Sequence, residues 1–275
     1  MPTSKLLKIL ACLALLAPGA ACKDKKDQSN PPTQGGDDAA DGAAEDEGGE
    51  PEVTYPEQDA DPPELAQAMA DYLLGHYDKV SAACQPISDS HTEESQIRAR
   101  GICAALFAMA TGQDLAENAQ APASLALEQA GRLADDELTQ LATLSMASFH
   151  LGVAEYAKAQ AEIEGVKDLA TPHADLTMLM WSEAVLGQAF EDDKLKHPEK
   201  LDEARTGYET VFGRASDDAI KARAADGVTA VGFYKKDKDL TCEWAAKASA
   251  LYESVGATDY MKEGPKGSAE ALRCG

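Results

Sequence analysis

Residues 63–275 are predicted to form one all-α domain, on three observations. Apolar residues return every three or four positions along nearly the whole stretch, no segment alternates like a half-buried strand, and pairs of small or apolar residues four apart recur at long intervals. The stretch 201–212, LDEARTGYETVF, carries the pattern most clearly. Ala204 and Tyr208 share one helix face, Leu201 and Val211 or Phe212 extend it, and Asp202, Glu203, Arg205 and Glu209 mostly lie opposite.

The first helix is expected to take Asp61 as its cap and Pro62 and Pro63 in its first turn. Its stripe of Leu65, Met69, Tyr72, Leu73, Val80 and Cys84 runs to Gln85, where Pro86 stops it, with Gly75 either dividing the segment or lying within it. A second helical stretch over 93–111 carries Ile97, Ile102, Leu106 and Met109. Further helices are expected over 122–134, 137–151, 153–166, 173–190, 198–212, 217–234, 240–255 and 267–273.

Alternate helices carry the pairs Val80 and Cys84, Ala126 and Ala130, Ala159 and Ile163, Ala204 and Tyr208, and Ala248 and Tyr252, at intervals of 46, 33, 45 and 44 residues. Leu186, Gly187 and Phe190 match the close of a first repeat helix, and Gly75, His76 and Tyr77 the opening of a second. On these residues the domain resembles tetratricopeptide-repeat proteins, and the resemblance implies a TPR-like α-solenoid of helical hairpins. In such families a concave face lined by first helices holds a peptide or another protein. The competing reading is an Ala-rich helical bundle.

Ahead of the domain, Lys5 and Lys8 precede an apolar run over 9–17 and then Pro18, Gly19, Ala20, Ala21 and Cys22. The run is far short of the roughly 20 residues that cross a bilayer, so residues 1–21 read as an export signal. Gly19, Ala20, Ala21 and Cys22 resemble the lipobox of bacterial lipoproteins, with Gly19 in place of the usual Leu. The resemblance implies acylation of Cys22 and anchorage in a lipid bilayer at the bacterial cell envelope. Lys23 after the cysteine favours the outer membrane. Ile9, Leu10, Ala11 and Cys12 also fit the residue types but would leave too short a signal.

Residues 22–62 are rich in Gly, Pro, Ala, Gln and acids and carry almost no sizeable apolar group, which predicts a disordered acidic tether. From Lys23 on it holds thirteen acids against three lysines, within a chain of net charge −23. That balance excludes nucleic acid as a partner, because phosphate would be repelled. No D-x-D-x-D-G loop is present to bind calcium.

With Cys12 removed and Cys22 acylated, four cysteines remain, an even number suited to an oxidising compartment. Of three possible pairings, Cys84 with Cys103 and Cys242 with Cys274 join adjacent helices without crossing the array. Zinc is disfavoured by the lack of C-x2-C spacing, so no metal and no cofactor are expected. His76, His91, His150, His173 and His197 form no i,i+3 or i,i+4 pair, and neither G-x-S-x-G nor H-E-x-x-H occurs, so no catalytic residue is assigned and no enzyme is expected. Trp181 and Trp244 fall among apolar neighbours and read first as packing groups. Met178 and Trp181, with Met180, are the nearest approach to a groove-lining cluster for a partner. The expected function is a lipid-anchored scaffold for envelope proteins, and the alternative is a solute or glycan receptor, which requires a closed pocket lined by aromatic groups.

Overall fold

The three-to-four-residue apolar spacing is realised as helix from residue 63 onward. The computed structural model describes residues 54–112 and 116–274, and from Tyr55 they belong to one compact unit. Among the described residues the helices are α1 (Pro63–Leu73), α2 (Tyr77–Ser90), α3 (Ile97–Gly112), α4 (Gln120–Ala130), α5 (Asp136–Gly152), α6 (Tyr156–Glu164), α7 (Ala174–Gly187), α8 (Pro198–Arg214), α9 (Asp218–Lys235), α10 (Lys238–Val255) and α11 (Asp259–Ala271). The export signal 1–21, Cys22 and the tether up to residue 53 lie outside the described residues. No described helix is long and apolar enough to cross a membrane.

Helix ends follow local chemistry. Asp135, Asp217 and Asp237 each sit in extended backbone and accept from the first-turn amides of α5, α9 and α10, at 2.9 Å from Leu138 N, 2.7 Å from Ala219 N and 3.0 Å from Leu240 N. Gly75 divides the first predicted segment into α1 and α2 with φ at +81°. A Cβ there would also lie 2.6 Å from Met261 Cγ, so the turn needs glycine for two reasons.

Each odd-numbered helix packs on the next odd one, α1 on α3, α3 on α5, α5 on α7, α7 on α9 and α9 on α11, while each even helix packs on its two chain neighbours. The five small-residue pairs fall one on each of α2, α4, α6, α8 and α10, and every member is buried. Small side chains at those points let even helices lie close against the odd row. The last helix then meets the first hairpin: Thr258 N donates to Leu74 O at 3.0 Å, and the Tyr77 and Tyr260 rings stand 6.2 Å apart.

Four local expectations are corrected. Pro86 does not end α2, which runs on to Ser90, where the Ser90 hydroxyl donates to Pro86 O at 2.7 Å. The final helix begins at Asp259 instead of residue 267, because Gly264, Pro265 and Gly267, all breakers by propensity, are packed against the domain in helical conformation, with Pro265 and Gly267 buried. The stretch after Gly187 leaves the helix for a hairpin, β1 (Phe190–Glu191) paired antiparallel with β2 (Lys194–Leu195), turned by Asp192 and Asp193 at φ +46° and +58°. Asp61 does not cap α1, whose cap position is Pro62, and it pairs with Arg98 instead. Gln58 Oε1 accepts from Arg98 N at 2.9 Å and Asp59 N donates to Ser95 O at 2.7 Å, so the end of the predicted tether is fastened to α3.

Candidate functional site: an acidic, tyrosine-lined cavity

On α9, residues Arg223, Asp226, Gly227, Ala230, Phe233 and Tyr234 follow a three-to-four spacing and form one stripe. Tyr260, Met261, Gly264, Gly267, Ser268 and Ala271 form the facing stripe of α11. Where most helix pairs here interdigitate, these two stripes place glycine and alanine at the middle of the contact and leave room between them. A cavity of about 290 Å3 results, closed by Tyr77 from α2, Glu183 and Leu186 from α7, Tyr208 from α8 and Tyr252 from α10. Its volume is at the lower end of the range typical of small-molecule sites.

Two glycines set the walls. A Cβ at Gly227 would lie 2.4 Å from Tyr208 Cε1, so only glycine lets the phenol ring lie flat on α9. A Cβ at Gly264 would lie 3.0 Å from Asp226 Oδ2, which puts the carboxylate directly against the α11 backbone. Tyr208 and Tyr252 are almost fully buried, Tyr77 and Tyr234 are half-buried, and Tyr260 is 38% exposed at the edge.

The charged lining consists of Glu183, Asp226 and Glu263 against the single guanidinium of Arg223. Arg223 Nη2 donates to Glu183 Oε1 at 3.3 Å, and the guanidinium carbon lies 5.4 Å from the centre of the Tyr72 ring, within cation–π range. Burial works against its charge, and Tyr72, Glu183 and Tyr77 overcome that and hold it firmly protonated. Burial raises the Asp226 carboxyl to about 7, with Arg223 opposing the rise, Glu183 adding to it and a hydrogen bond from Tyr252 opposing it. Burial likewise raises the Tyr77, Tyr208 and Tyr252 phenols above their ordinary value, and brings Tyr234 to about 12, so all four are neutral donors near pH 7. Among the described residues no three His, Cys, Asp or Glu converge to hold a metal ion.

The residues singled out from the sequence are placed elsewhere. Met178 and Trp181 lie on α7 but do not line the cavity: both pack partly against the core, and Trp181 Nε1 donates to Glu164 Oε2 at 3.0 Å. Cys242 and Cys274 form a disulfide that ties the first turn of α10 to the chain just after α11, Cα to Cα 5.4 Å, and so fixes the far end of the cavity's α11 wall. Cys84 and Cys103, expected as a second disulfide, are free thiols. They meet inside the α2–α3 interface as fully buried core groups, and the hydrogen bond between them, with burial, pushes the Cys103 thiol far above its ordinary value. Cys22 lies outside the described residues. Arg223, Asp226, Glu183, Tyr234 and Tyr260 went unnoticed in the sequence, and Tyr77, Tyr208 and Tyr252 were read only as repeat-packing residues, although one signal was there: Arg223 and Asp226 interrupt the apolar face of α9 at helical spacing.

No protein-family model matches the chain, and comparison with curated proteins and with solved structures finds none that is similar.

Proposed function

We propose that this chain is an exported receptor for a small organic solute, anchored through acylated Cys22 at the bacterial outer membrane, with a TPR-like repeat domain that encloses the binding cavity. The single observation that carries this reading is the half-open, aromatic-lined cavity between α9 and α11, walled by Tyr77, Tyr208, Phe233, Tyr234, Tyr252 and Tyr260. Phenol rings supply large rigid contact area with a polar tip, and a few charged groups orient what they enclose. The repeat resemblance is supported by the alternating odd-on-odd helix packing and by the five buried small-residue pairs on even helices.

A scaffold for envelope proteins fits the site less well, because Met178 and Trp181, the residues proposed for such a partner, are engaged in internal packing. Binding is preferred to catalysis because two of the three lining carboxylates already have partners, Glu183 in Arg223 and Asp226 in Tyr252.

The test is a thermal-shift screen of the full chain against a library of small solutes, run beside Ala230→Trp, which fills the cavity. Solutes that raise the melting temperature of the wild type and lose that effect in a folded Ala230→Trp protein are expected. A screen with no stabilising solute, or with shifts that the filled cavity keeps, overturns the reading. The anchor has its own test: Cys22→Ala moves the chain to the soluble fraction.

A further inference from the structure

Resting on the receptor reading, we propose that the cavity's ligand is an organic ammonium cation, held by the tyrosine walls and by the carboxylate of Asp226. Three carboxylates and one guanidinium line the space, and the guanidinium is already committed, through Nη2 to Glu183 and through its face to Tyr72. The lining therefore carries more carboxylates than cations. Asp226 keeps a proton to about pH 7, chiefly because burial disfavours its charge, and with Glu183 adding to the rise, so a cation placed against it would take over that proton's place.

The walls suit an organic cation better than a metal ion. Phenol and phenyl faces attract ammonium groups through their ring quadrupoles, most strongly where water is excluded. No three acidic, histidine or cysteine side chains among the described residues approach one another closely enough for metal coordination. An anion would meet Glu263 and, above about pH 7, Asp226, and the lining's one guanidinium already carries Glu183; its remaining Nη1, buried with no hydrogen-bond partner, is a donor open to a hydroxyl or carbonyl oxygen on the same ligand. A neutral polyol could use the phenol hydroxyls but would leave the charge imbalance in place.

The groups acting on or against Asp226 are Arg223 on its own helix, Glu183 from α7, Tyr208 from α8 and Tyr252 from α10, and Tyr77 from α2 and Tyr260 and Glu263 from α11 line the same cavity. The Tyr77, Tyr208 and Tyr252 phenols stay neutral and Arg223 stays charged across pH 6 to 8, so Asp226 is the group whose charge changes on binding. A bound ammonium takes the place of its proton. Affinity for a cation therefore rises with pH through about 7.

The experiment is isothermal titration of the full chain with choline and with n-butylammonium, compared with the neutral isostere 3,3-dimethyl-1-butanol and the anion 3,3-dimethylbutanoate. At least one cation is expected to bind ten times more tightly at pH 8 than either comparison compound, and about ten times more tightly at pH 8 than at pH 6. Asp226→Asn should abolish that pH dependence and weaken the cation about tenfold, while the protein keeps its fold by circular dichroism. Preference for the alcohol or the carboxylate, with binding lost in Ala230→Trp, overturns the cation assignment and leaves the receptor standing. Failure of both cations to bind, or a pH dependence that survives in Asp226→Asn, also overturns it.

Discussion

The helices α3 to α6 and the helices α7 to α11 are built from the same small-residue pairs, yet they bury different chemistry. In the first region Ala104, Ala105, Ala108, Ala142 and Ala147 let α3 and α5 close on leucine and methionine, and the buried polar groups are met locally, as when Gln140 Nε2 donates to Val166 O at 3.0 Å. In the second, Tyr208 and Tyr252 occupy the pair positions, Gly227 of α9 lies under the Tyr208 ring and Gly264 of α11 against Asp226, and Arg223 and Asp226 stand where a leucine would otherwise fill the gap. Alanine against leucine makes a close-packed interface; beside the tight Tyr208–Gly227 contact, Arg223, Asp226 and the small residues of α11 leave a space with polar atoms around it. One helical scaffold thus gives a packed end and a hollow end through residue size at equivalent positions.

The sharpest way to break the contrast is through the cysteines. The Cys242–Cys274 bridge closes a loop of sequence separation 32 at the hollow end, and replacing both by alanine should cost about 4 kcal/mol in the chain-entropy model, read as a lower urea midpoint. Reductant should produce the same loss in the wild type and none in the double variant. Next in size is Gly227→Ala, whose Cβ would meet the rigid Tyr208 ring at 2.4 Å and should destabilise by about 3 kcal/mol. Gly101→Ala, at the packed end, meets the rotatable tip of Leu138 at 2.7 Å and should cost less, a ranking that paired thermal melts can reverse.

Third comes pH. Asp226 has a folded pKa of about 7, above its ordinary value, so its contribution to stability is complete below about pH 4 and is lost as pH rises through 7. Asp226→Asn removes that loss and should stabilise the protein at pH 8 by on the order of 2 kcal/mol, with little gain at pH 4. Equal gains at both values would show that burial of this carboxylate is not the cause. The smallest effect is expected at the packed end: Cys84→Ala removes one buried sulfur atom and should cost about 1 kcal/mol, with no added sensitivity to reductant.

Much of this architecture was legible along the chain. The spacing of Ala204 and Tyr208, and of the four pairs like them, located the helices that back the odd row, because burial of one helix face leaves a period of three to four in the sequence itself. The caps Asp217 and Asp237 were not read as such, although a capping bond joins residues only two or three apart; the stretches were placed at 217–234 and 240–255 from the apolar spacing alone. Breakers misled at Pro86, which stands exposed inside α2, and at Gly264 to Gly267, where tertiary contact outweighed propensity. There the intrinsic cost is local, whereas the packing that offsets it comes from distant parts of the chain.

The sequence by itself determined the all-α class, the helix succession and the small-residue faces, because each depends on neighbours within one or two turns. Only the tertiary structure decided that α11 meets the first hairpin, that Cys84 and Cys103 lie together as thiols, and that Arg223, Asp226 and six aromatic rings surround one cavity. These groups come from α2, α7, α8, α9, α10 and α11, up to nearly two hundred positions apart, and a side chain's charge and exposure are set by what stands across from it in space.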